Sequence, residues 1–189
     1  CHSLVGSEMC IRDRHRLSES LIEVGEVEKA EEILDLSFEK MPLHLFGYYT
    51  LSEPYIKTYY TLNRFDKGYS LYKEIENKYF EYVEYYSDSY NNKNFRISEN
   101  AENIFTYTER LRGLIESQIQ SKHKFVEIES SIQRFVNLTT VYKDLYGSYD
   151  YYNYLTNFVE PLYELNMERG RTLYNDISLE ILNRLSLLK

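Results

Sequence analysis

Residues 17–42, LSESLIEVGEVEKAEEILDLSFEKMP, contain two helical segments separated by a turn at Gly25. Leu17 and Leu21 are one helical turn apart, which places them on the same face of a first helix. Apolar and small residues recur at the same spacing after the turn, and Pro42 ends the second helix because proline cannot continue the backbone hydrogen bonds. The stretch therefore predicts a helical hairpin, and this unit decides the all-α fold class.

The order of residues in this hairpin resembles the tetratricopeptide repeat, in which an Ala, a bulky residue and a Pro mark the second helix. Ala30, Leu34 and Pro42 take those positions here. The sequence departs from the pattern at Arg14, where the repeat has Trp, and at Leu21 and Leu34, where it has aromatic residues. The resemblance implies a short solenoid of stacked antiparallel hairpins, a fold that supplies binding surfaces.

The first 13 residues are interpreted as a non-native segment. Residues 4–13, LVGSEMCIRD, are similar to the translation of a transposase-based sequencing adapter. We therefore expect residues 1–13 to lie outside the fold and their deletion to leave stability unaltered. Both cysteines, Cys1 and Cys10, lie in this segment, so they do not reveal the redox compartment. An adapter remnant also implies a metagenomic fragment whose parent protein continues upstream of Arg14.

The chain is acidic and rich in tyrosine, with a net charge of −8, 21 tyrosines and no tryptophan. Without residues 1–13 the net charge is −7. Basic residues form no stripe, which argues against nucleic-acid binding, and no apolar run approaches the ~18 residues of a membrane span. The tyrosines recur at helical spacing, so we interpret them as helix-packing residues whose hydroxyls reach the rim of the core.

Residues 14–189 are predicted to form a single helical-repeat domain. A polar, Asn-rich stretch at 87–98 interrupts the helical pattern, and Ser98 is interpreted as the N-cap of the helix that follows. The final helix is expected to cap the array. The four predicted hairpins span about 14–40, 48–86, 99–146 and 151–188.

The first two hairpins repeat with a spacing of 38 residues between equivalent turns. Gly68 of the second corresponds to Ala30 of the first, and a small residue at this position lets two helix axes approach closely. Ile75 corresponds in the same way to Ser37. In the first helix, 14–24, the residues expected to face inward are Leu17, Leu21 and Val24.

Pro54 conflicts with a helix over 48–62, because a proline in a helix interior removes a hydrogen bond and clashes with the preceding turn. Two interpretations are open. Tyr48 and Tyr49 form a separate turn, or the helix begins at Ser52 with Pro54 in its first turn, where proline is tolerated. The second is preferred.

Motifs for catalysis and metal binding are lacking in the sequence. His15, His44 and His123 have no metal-ligand spacing, and neither a phosphate-binding glycine loop nor a nucleophile elbow occurs. We therefore expect no catalytic residue, no metal and no cofactor. The alternative, a small all-α enzyme that uses Glu and Tyr side chains, would require several carboxylates with shifted pKa values around a deep pocket.

The predicted partner-binding surface lies on the opening helices of the first two hairpins. Stacked repeats present the free faces of these helices on a concave groove that suits an extended protein or peptide segment. A solvated face without a partner is the alternative. The residues on this predicted surface are Glu19, Glu23, Glu53, Lys57 and Tyr60.

The order of motifs after the first hairpin resembles a second family. Met41 and Pro42 are followed by PYIKTYY at 54–60, NRFDKGYSLYKEI at 63–75, a Tyr-rich helix, a polar break and a long helix. Over about residues 15–120 this order is similar to the soluble C-terminal tail of bacterial membrane glycosyltransferases of the protein-mannosyltransferase-like kind.

This second resemblance implies a non-catalytic tail on the periplasmic side of an inner membrane. The tail would bind protein or stabilise its parent enzyme, and both the transfer chemistry and the membrane attachment would belong to an upstream domain. The alternative is a free-standing tetratricopeptide-like adaptor that binds peptides.

Overall fold

A computed structural model describes residues 4–91, 97–121 and 125–138 of the 189-residue chain. No strand occurs in these ranges, so the predicted all-α class is confirmed for them. The predicted hairpin at 151–188 and the end of the one before it lie outside the described residues. The helices are α1 Leu4–Glu23, α2 Val27–Lys40, α3 Leu43–Phe46, α4 Tyr49–Thr61, α5 Phe65–Asn91, α6 Ile97–Ser121 and α7 Phe125–Leu138.

The chain divides into two compact units, Cys1–Lys78 and Tyr79–Lys189. The first unit holds α1 to α4 and the beginning of α5, and the second holds the remainder of α5 with α6 and α7. Among the helices described, none is both long enough and apolar enough to cross a bilayer.

Two turns of the first unit close in the same way. After α1, Gly25 has a φ of 82°, and the amides of Gly25 and Glu26 donate to the carbonyls of Ile22 and Leu21. After α4, the amides of Asn63 and Arg64 donate to the carbonyls three and five positions earlier in the same pattern. This is the Schellman arrangement, in which a left-handed residue lets the chain satisfy the last helical carbonyls.

The second of these turns has Asn63 at the left-handed position, with a φ of 58°. Asparagine tolerates this conformation better than other residues with a Cβ, and glycine tolerates it best. We expect Asn63→Val to lower the free energy of unfolding by about 1–2 kcal/mol and Asn63→Gly to leave it within about 0.5 kcal/mol. Urea unfolding followed by circular dichroism measures both. Equal losses in the two variants would contradict a backbone origin.

The buried faces of α2 and α5 also match at the 38-residue spacing. Ala30 and Gly68 are both buried, at the fourth position of their helices. Leu34 and Tyr72 are fully buried one turn later, and Ser37 and Ile75 follow. At Gly68 the two helices come close together, because a Cβ built on this residue would lie 2.5 Å from Cε1 of Tyr60 and 3.2 Å from the Ile56 carbonyl oxygen on α4.

Alanine substitutions at two helical glycines are expected to have opposite effects. Gly68→Ala forces the Tyr60 ring and the α4 backbone to move, and we expect a loss of about 1–2 kcal/mol. Gly113 lies in α6 with nothing within 4 Å of an added Cβ, so Gly113→Ala should gain about 0.5–1 kcal/mol from helix propensity alone. Thermal unfolding of both variants measures the difference. A stabilised Gly68→Ala variant would mean that the α4–α5 contact is looser than described.

The inward face of α1 differs from the predicted one. Leu17 is 47% exposed and Val24 is 72% exposed, whereas Ile11 and Ser18 are fully buried. The helix begins at Leu4, and its core face is rotated by one residue from the predicted stripe. Ser18 is suited to its buried position because its hydroxyl donates to the His15 carbonyl at 2.6 Å, which satisfies the polar group within the helix.

Tyr55 of α4 joins three helices at the centre of the first unit. Its side chain is fully buried, and its hydroxyl donates to the Ile11 carbonyl of α1 at 2.6 Å. The same oxygen lies 3.2 Å from Oγ of Ser37 on α2. Its ring contacts Phe38 edge-to-face at 5.0 Å. The hydroxyl therefore lies inside the core, whereas the sequence predicted that the tyrosine hydroxyls reach its rim.

The connection from α2 to α4 contains the unpredicted short helix α3. Pro42 precedes α3, and Gly47 ends it in the left-handed conformation with a φ of 70°. The next helix, α4, begins at Tyr49 and keeps Pro54 in its interior. The preferred start at Ser52 is therefore wrong, and the exposed Pro54 lies in the second turn of α4.

In the second unit, α6 buries apolar residues at helical spacing, and Tyr107 on the same face is half-buried. The buried residues are Ile104, Leu111, Leu114, Ile115 and Ile119. The Tyr107 ring contacts those of Tyr79, Tyr82 and Tyr86, with centroids 4.6–6.0 Å apart. Ile132 and Phe135 of α7 are fully buried. The helix α6 begins at Ile97, so Ser98 lies inside it and does not precede it as an N-cap.

Candidate functional site

A charged cluster joins α2 to the start of α5. The Glu31 carboxylate accepts hydrogen bonds from Arg64 Nε and Lys67 Nζ, both at 2.7 Å. The same Lys67 Nζ donates to Oδ2 of Asp35, one turn along α2, at 2.6 Å. Two acids and two bases thus neutralise each other. Asp35, Arg64 and Lys67 are each more than 40% exposed, so the cluster orients the two helices more than it stabilises them.

Tyr59 of α4 connects this cluster to the core. Its hydroxyl donates to Oδ1 of Asp35 at 2.9 Å, and the residue is buried. Burial and the adjacent Asp35 carboxylate raise the pKa of the phenol well above its usual value. The hydroxyl therefore keeps its proton and remains a donor to Asp35 at any physiological pH.

Through Glu31, the charged cluster makes the free energy of unfolding depend on pH. Hydrogen bonds from Lys67 and then Arg64 hold the pKa of this carboxyl below its ordinary value of 4.5. A lowered pKa contributes stability that is present above the unfolded-state pKa and is lost as the pH falls through the folded-state pKa. Between about pH 6 and pH 3 we expect the wild type to lose about 1 kcal/mol more than Glu31→Gln.

Urea unfolding at the two pH values measures this difference. Glu32→Gln, at an exposed position on the same helix and outside the cluster, is the matched control. If Glu31→Gln showed the same acid response as both the wild type and the control, the cluster would not form in solution.

A cavity of about 410 Å³ adjoins the charged cluster. Its floor consists of buried or half-buried apolar and aromatic side chains from α2 to α5, and its rim consists of exposed polar ones. The short helix α3 contributes Leu43 and His44 to the lining, and its next two residues, Leu45 and Phe46, are exposed. The floor residues are Phe38, Pro42, Leu43, Tyr59 and Leu71, and the rim residues are Asp35, His44, Lys67, Ser70 and Glu74.

The charge of the rim is set by one carboxylate. Asp35 and Lys67 belong to the neutral cluster, whereas Glu74 is exposed on α5 and forms no ion pair within the described part of the chain. The cavity thus combines an apolar floor with one uncompensated negative charge.

The structure distributes the predicted partner-binding residues over two helices. Glu19 and Glu23 are exposed on α1, and Glu19 lies 3.5 Å from Nδ1 of His15. Lys57 is exposed on α4. The other ring nitrogen, His15 Nε2, is 2.9 Å from Oγ1 of Thr58, the neighbour of Lys57. Glu19 and Lys57 therefore flank one contact between α1 and α4.

The remaining two predicted residues are less exposed. Glu53 is half-buried on α4. Tyr60 is half-buried as well, because its ring lies 5.9 Å from that of Phe65 and covers Gly68. Tyr60 therefore packs between α4 and α5, and most of its ring is unavailable to a partner.

The described residues contain no group of three or more His, Cys, Asp or Glu side chains that could hold a metal ion. His15 packs against Thr58 and the Tyr55 ring, and His44 lies at the rim of the cavity. His123 lies outside the described residues. Glu76 is a buried carboxylate, but it accepts hydrogen bonds from Tyr72 and Lys73 of its own helix.

Sequence reasoning did not identify the cavity, although two signals pointed to it. Pro42 and Gly47 bracket the four residues of α3, the usual order of a proline at the start and a glycine at the end of a helix. The acids Glu31 and Asp35 are spaced by one turn, as are the bases Arg64 and Lys67 at the start of the next repeat. Opposite charges on neighbouring hairpins indicate a contact between them.

Comparison of the chain with protein-family models, curated proteins and solved structures gives no match.

Proposed function

We propose that this chain is a non-catalytic, tetratricopeptide-like helical-repeat module that binds a protein or peptide segment. The observation that supports this most directly is the repetition at 38 residues, in which the turns at Gly25 and Asn63 close alike and the small residues Ala30 and Gly68 occupy the same helical position. A hairpin that repeats in this way stacks on its neighbour and extends one continuous surface, which suits an elongated partner.

The surface proposed for the partner includes the exposed residues Glu19, Glu23 and Lys57 on α1 and α4. These helices contact each other through His15 and Thr58, so an extended segment could follow both. Exposed charges of both signs would select the partner and its orientation more than they would add affinity.

Binding is tested with the full chain on an array of randomised hexapeptides. We expect binding that depends on peptide sequence, with dissociation constants of about 1–100 μM, the range of small and transient interfaces. A uniform background signal across the array, equal to that of the heat-unfolded chain, would overturn the proposal.

The proposed setting of this module is the C-terminal tail of a protein-mannosyltransferase-like membrane glycosyltransferase, on the periplasmic side. The motif order from Met41 to about residue 120 supports it. The alternative is a free-standing adaptor, which the cavity and the exposed Leu45 and Phe46 favour. The DNA upstream of the Arg14 codon discriminates them: repeated apolar spans support the tail, and further hairpins or a start codon support the adaptor.

A further inference from the structure

We infer that the cavity between α2, α3, α4 and α5 is a docking site for a lysine or arginine side chain, presented by a peptide together with a neighbouring apolar residue. The inference depends on the proposed function, because it names the partner chemistry of a peptide-binding module. It places the recognition of the basic residue at the cavity, in addition to the surface of α1 and α4 proposed above.

The charged residues at the rim of the cavity indicate which charge a ligand should carry. Among the described residues that line the cavity, Lys67 carries the one permanent positive charge, and its Nζ already donates to the carboxylates of Glu31 and Asp35 at 2.7 and 2.6 Å. An anionic ligand would have to break these bonds. It would also face Glu74, whose charge no basic side chain of the described residues neutralises. A cationic group would pair with the Glu74 carboxylate and would leave the hydrogen bonds of Lys67 intact.

The apolar floor of the cavity indicates the kind of ligand side chain that fits it. Leu43, Tyr59 and Leu71 are buried beneath the cavity, and the Tyr59 hydroxyl is occupied because it donates to Asp35. Such a floor offers apolar contact area but few hydrogen-bonding groups to a ligand. Lysine and arginine match it, since their aliphatic stems pack on apolar surface while the charged end reaches a polar rim.

The exposed residues of α3 provide a contact surface for the apolar residue of the peptide. Leu45 is 72% exposed, and Phe46 is 38% exposed with its ring stacked 5.9 Å from that of Tyr48. Both adjoin the cavity residues Leu43 and His44 in the chain. A volume of about 410 Å³ exceeds that of one side chain, and it lies within the usual range of ligand pockets. One basic and one apolar residue would therefore occupy the cavity and this edge together.

The test uses the full chain and an array of immobilised hexapeptides with two fixed central positions. The first fixed residue is Leu, the second is Arg, Lys, Gln or Glu, and the remaining positions are randomised. We expect the Arg and Lys peptides to retain at least about fivefold more protein than the Gln peptides, and the Glu peptides to retain least. The preference should weaken at about 0.5 M salt, because the carboxylate is exposed.

Three variants locate the binding. Glu74→Gln should reduce the Arg and Lys signals about three- to tenfold and leave the Gln signal within about twofold. Ser70→Trp, at an exposed rim position, should fill the cavity and abolish binding to all four peptide sets. Glu32→Gln, an exposed carboxylate on α2 outside the cavity, should change nothing. Circular dichroism checks that each variant keeps the helicity of the wild type.

Equal binding of the Glu and Arg peptides, or an unchanged signal in both Glu74→Gln and Ser70→Trp, would overturn the inference. If Lys57→Glu weakened binding while the two cavity variants did not, the partner would lie on α1 and α4, and the proposed function would stand without the cavity. If no hexapeptide of any sequence bound, both would fail.

Discussion

Tyr55→Ala is expected to lower the free energy of unfolding of the first unit by about 3–5 kcal/mol, the usual cost of removing a fully buried aromatic side chain. The Tyr55 ring fills the space between α1, α2 and α4, where it contacts the rings of His15 and Phe38 at 5.0 Å. Its loss leaves a void bounded by three helices whose backbones cannot all move inward at once. Thermal and urea unfolding followed by circular dichroism measure the effect.

The substitution Tyr55→Phe measures the contribution of the hydroxyl apart from that of the ring. The ring contacts remain, but the Ile11 carbonyl and the Ser37 hydroxyl lose the proton donor that now lies 2.6 and 3.2 Å from them. We expect a loss of about 1–2 kcal/mol, the cost of removing one buried hydrogen bond. Tyr85→Phe, at a position 66% exposed, is the control and should change little. A Tyr55→Phe variant as stable as the wild type would show that the buried hydrogen bond contributes nothing.

Deletion of residues 1–13 is expected to destabilise the first unit by several kcal/mol. The adapter-like composition predicted no effect, but α1 begins at Leu4, Ile11 is fully buried, and the Ile11 carbonyl accepts the Tyr55 proton. The deletion removes half of α1 and uncovers the Tyr55 side chain. Loss of the Ile11 side chain alone is worth about 2–4 kcal/mol. Unfolding of the truncated chain, compared with the full chain, measures the total.

Two point variants separate side-chain burial from helix length in this deletion. Ile11→Ala should show much of the loss, and Met9→Ala, at a position 63% exposed, should show little. A truncated chain with an unchanged melting temperature would mean that residues 4–13 rest on the unit without supporting it. The structural role of these residues is independent of the origin of their sequence.

The helices and their turns could be predicted from the sequence because both depend on local physics. The bounds of α2 and the turn residues Gly25 and Asn63 follow from periodicity and from the residues that tolerate a left-handed backbone. The sequence does not indicate the start of α1, because the adapter-like residues 4–13 point to a non-native segment outside the fold. Its inward face was misplaced because Ser18 is polar, and only its bond to the His15 carbonyl makes it suitable for the core.

The candidate site was less accessible to sequence reasoning, since it depends on which side chains of different helices converge. Glu74 and Leu71 lie almost one turn apart on α5, yet nothing in their order shows that Leu43 covers the same space. The predicted surface residue Tyr60 was assigned to a free face because the clearance around Gly68 is a tertiary property. Spacing identifies the face of a helix, but the partner of that face is a matter of packing.

The hydroxyl contact between Tyr55 and the carbonyl 44 positions earlier has a consequence for biosynthesis. When the ribosome has released only α1 and α2, the site that Tyr55 will fill is still open to water, and the emerging hairpin lacks its central anchor. We therefore expect the nascent chain to remain sensitive to proteases until α4 has left the exit tunnel and Tyr55 can fill this site.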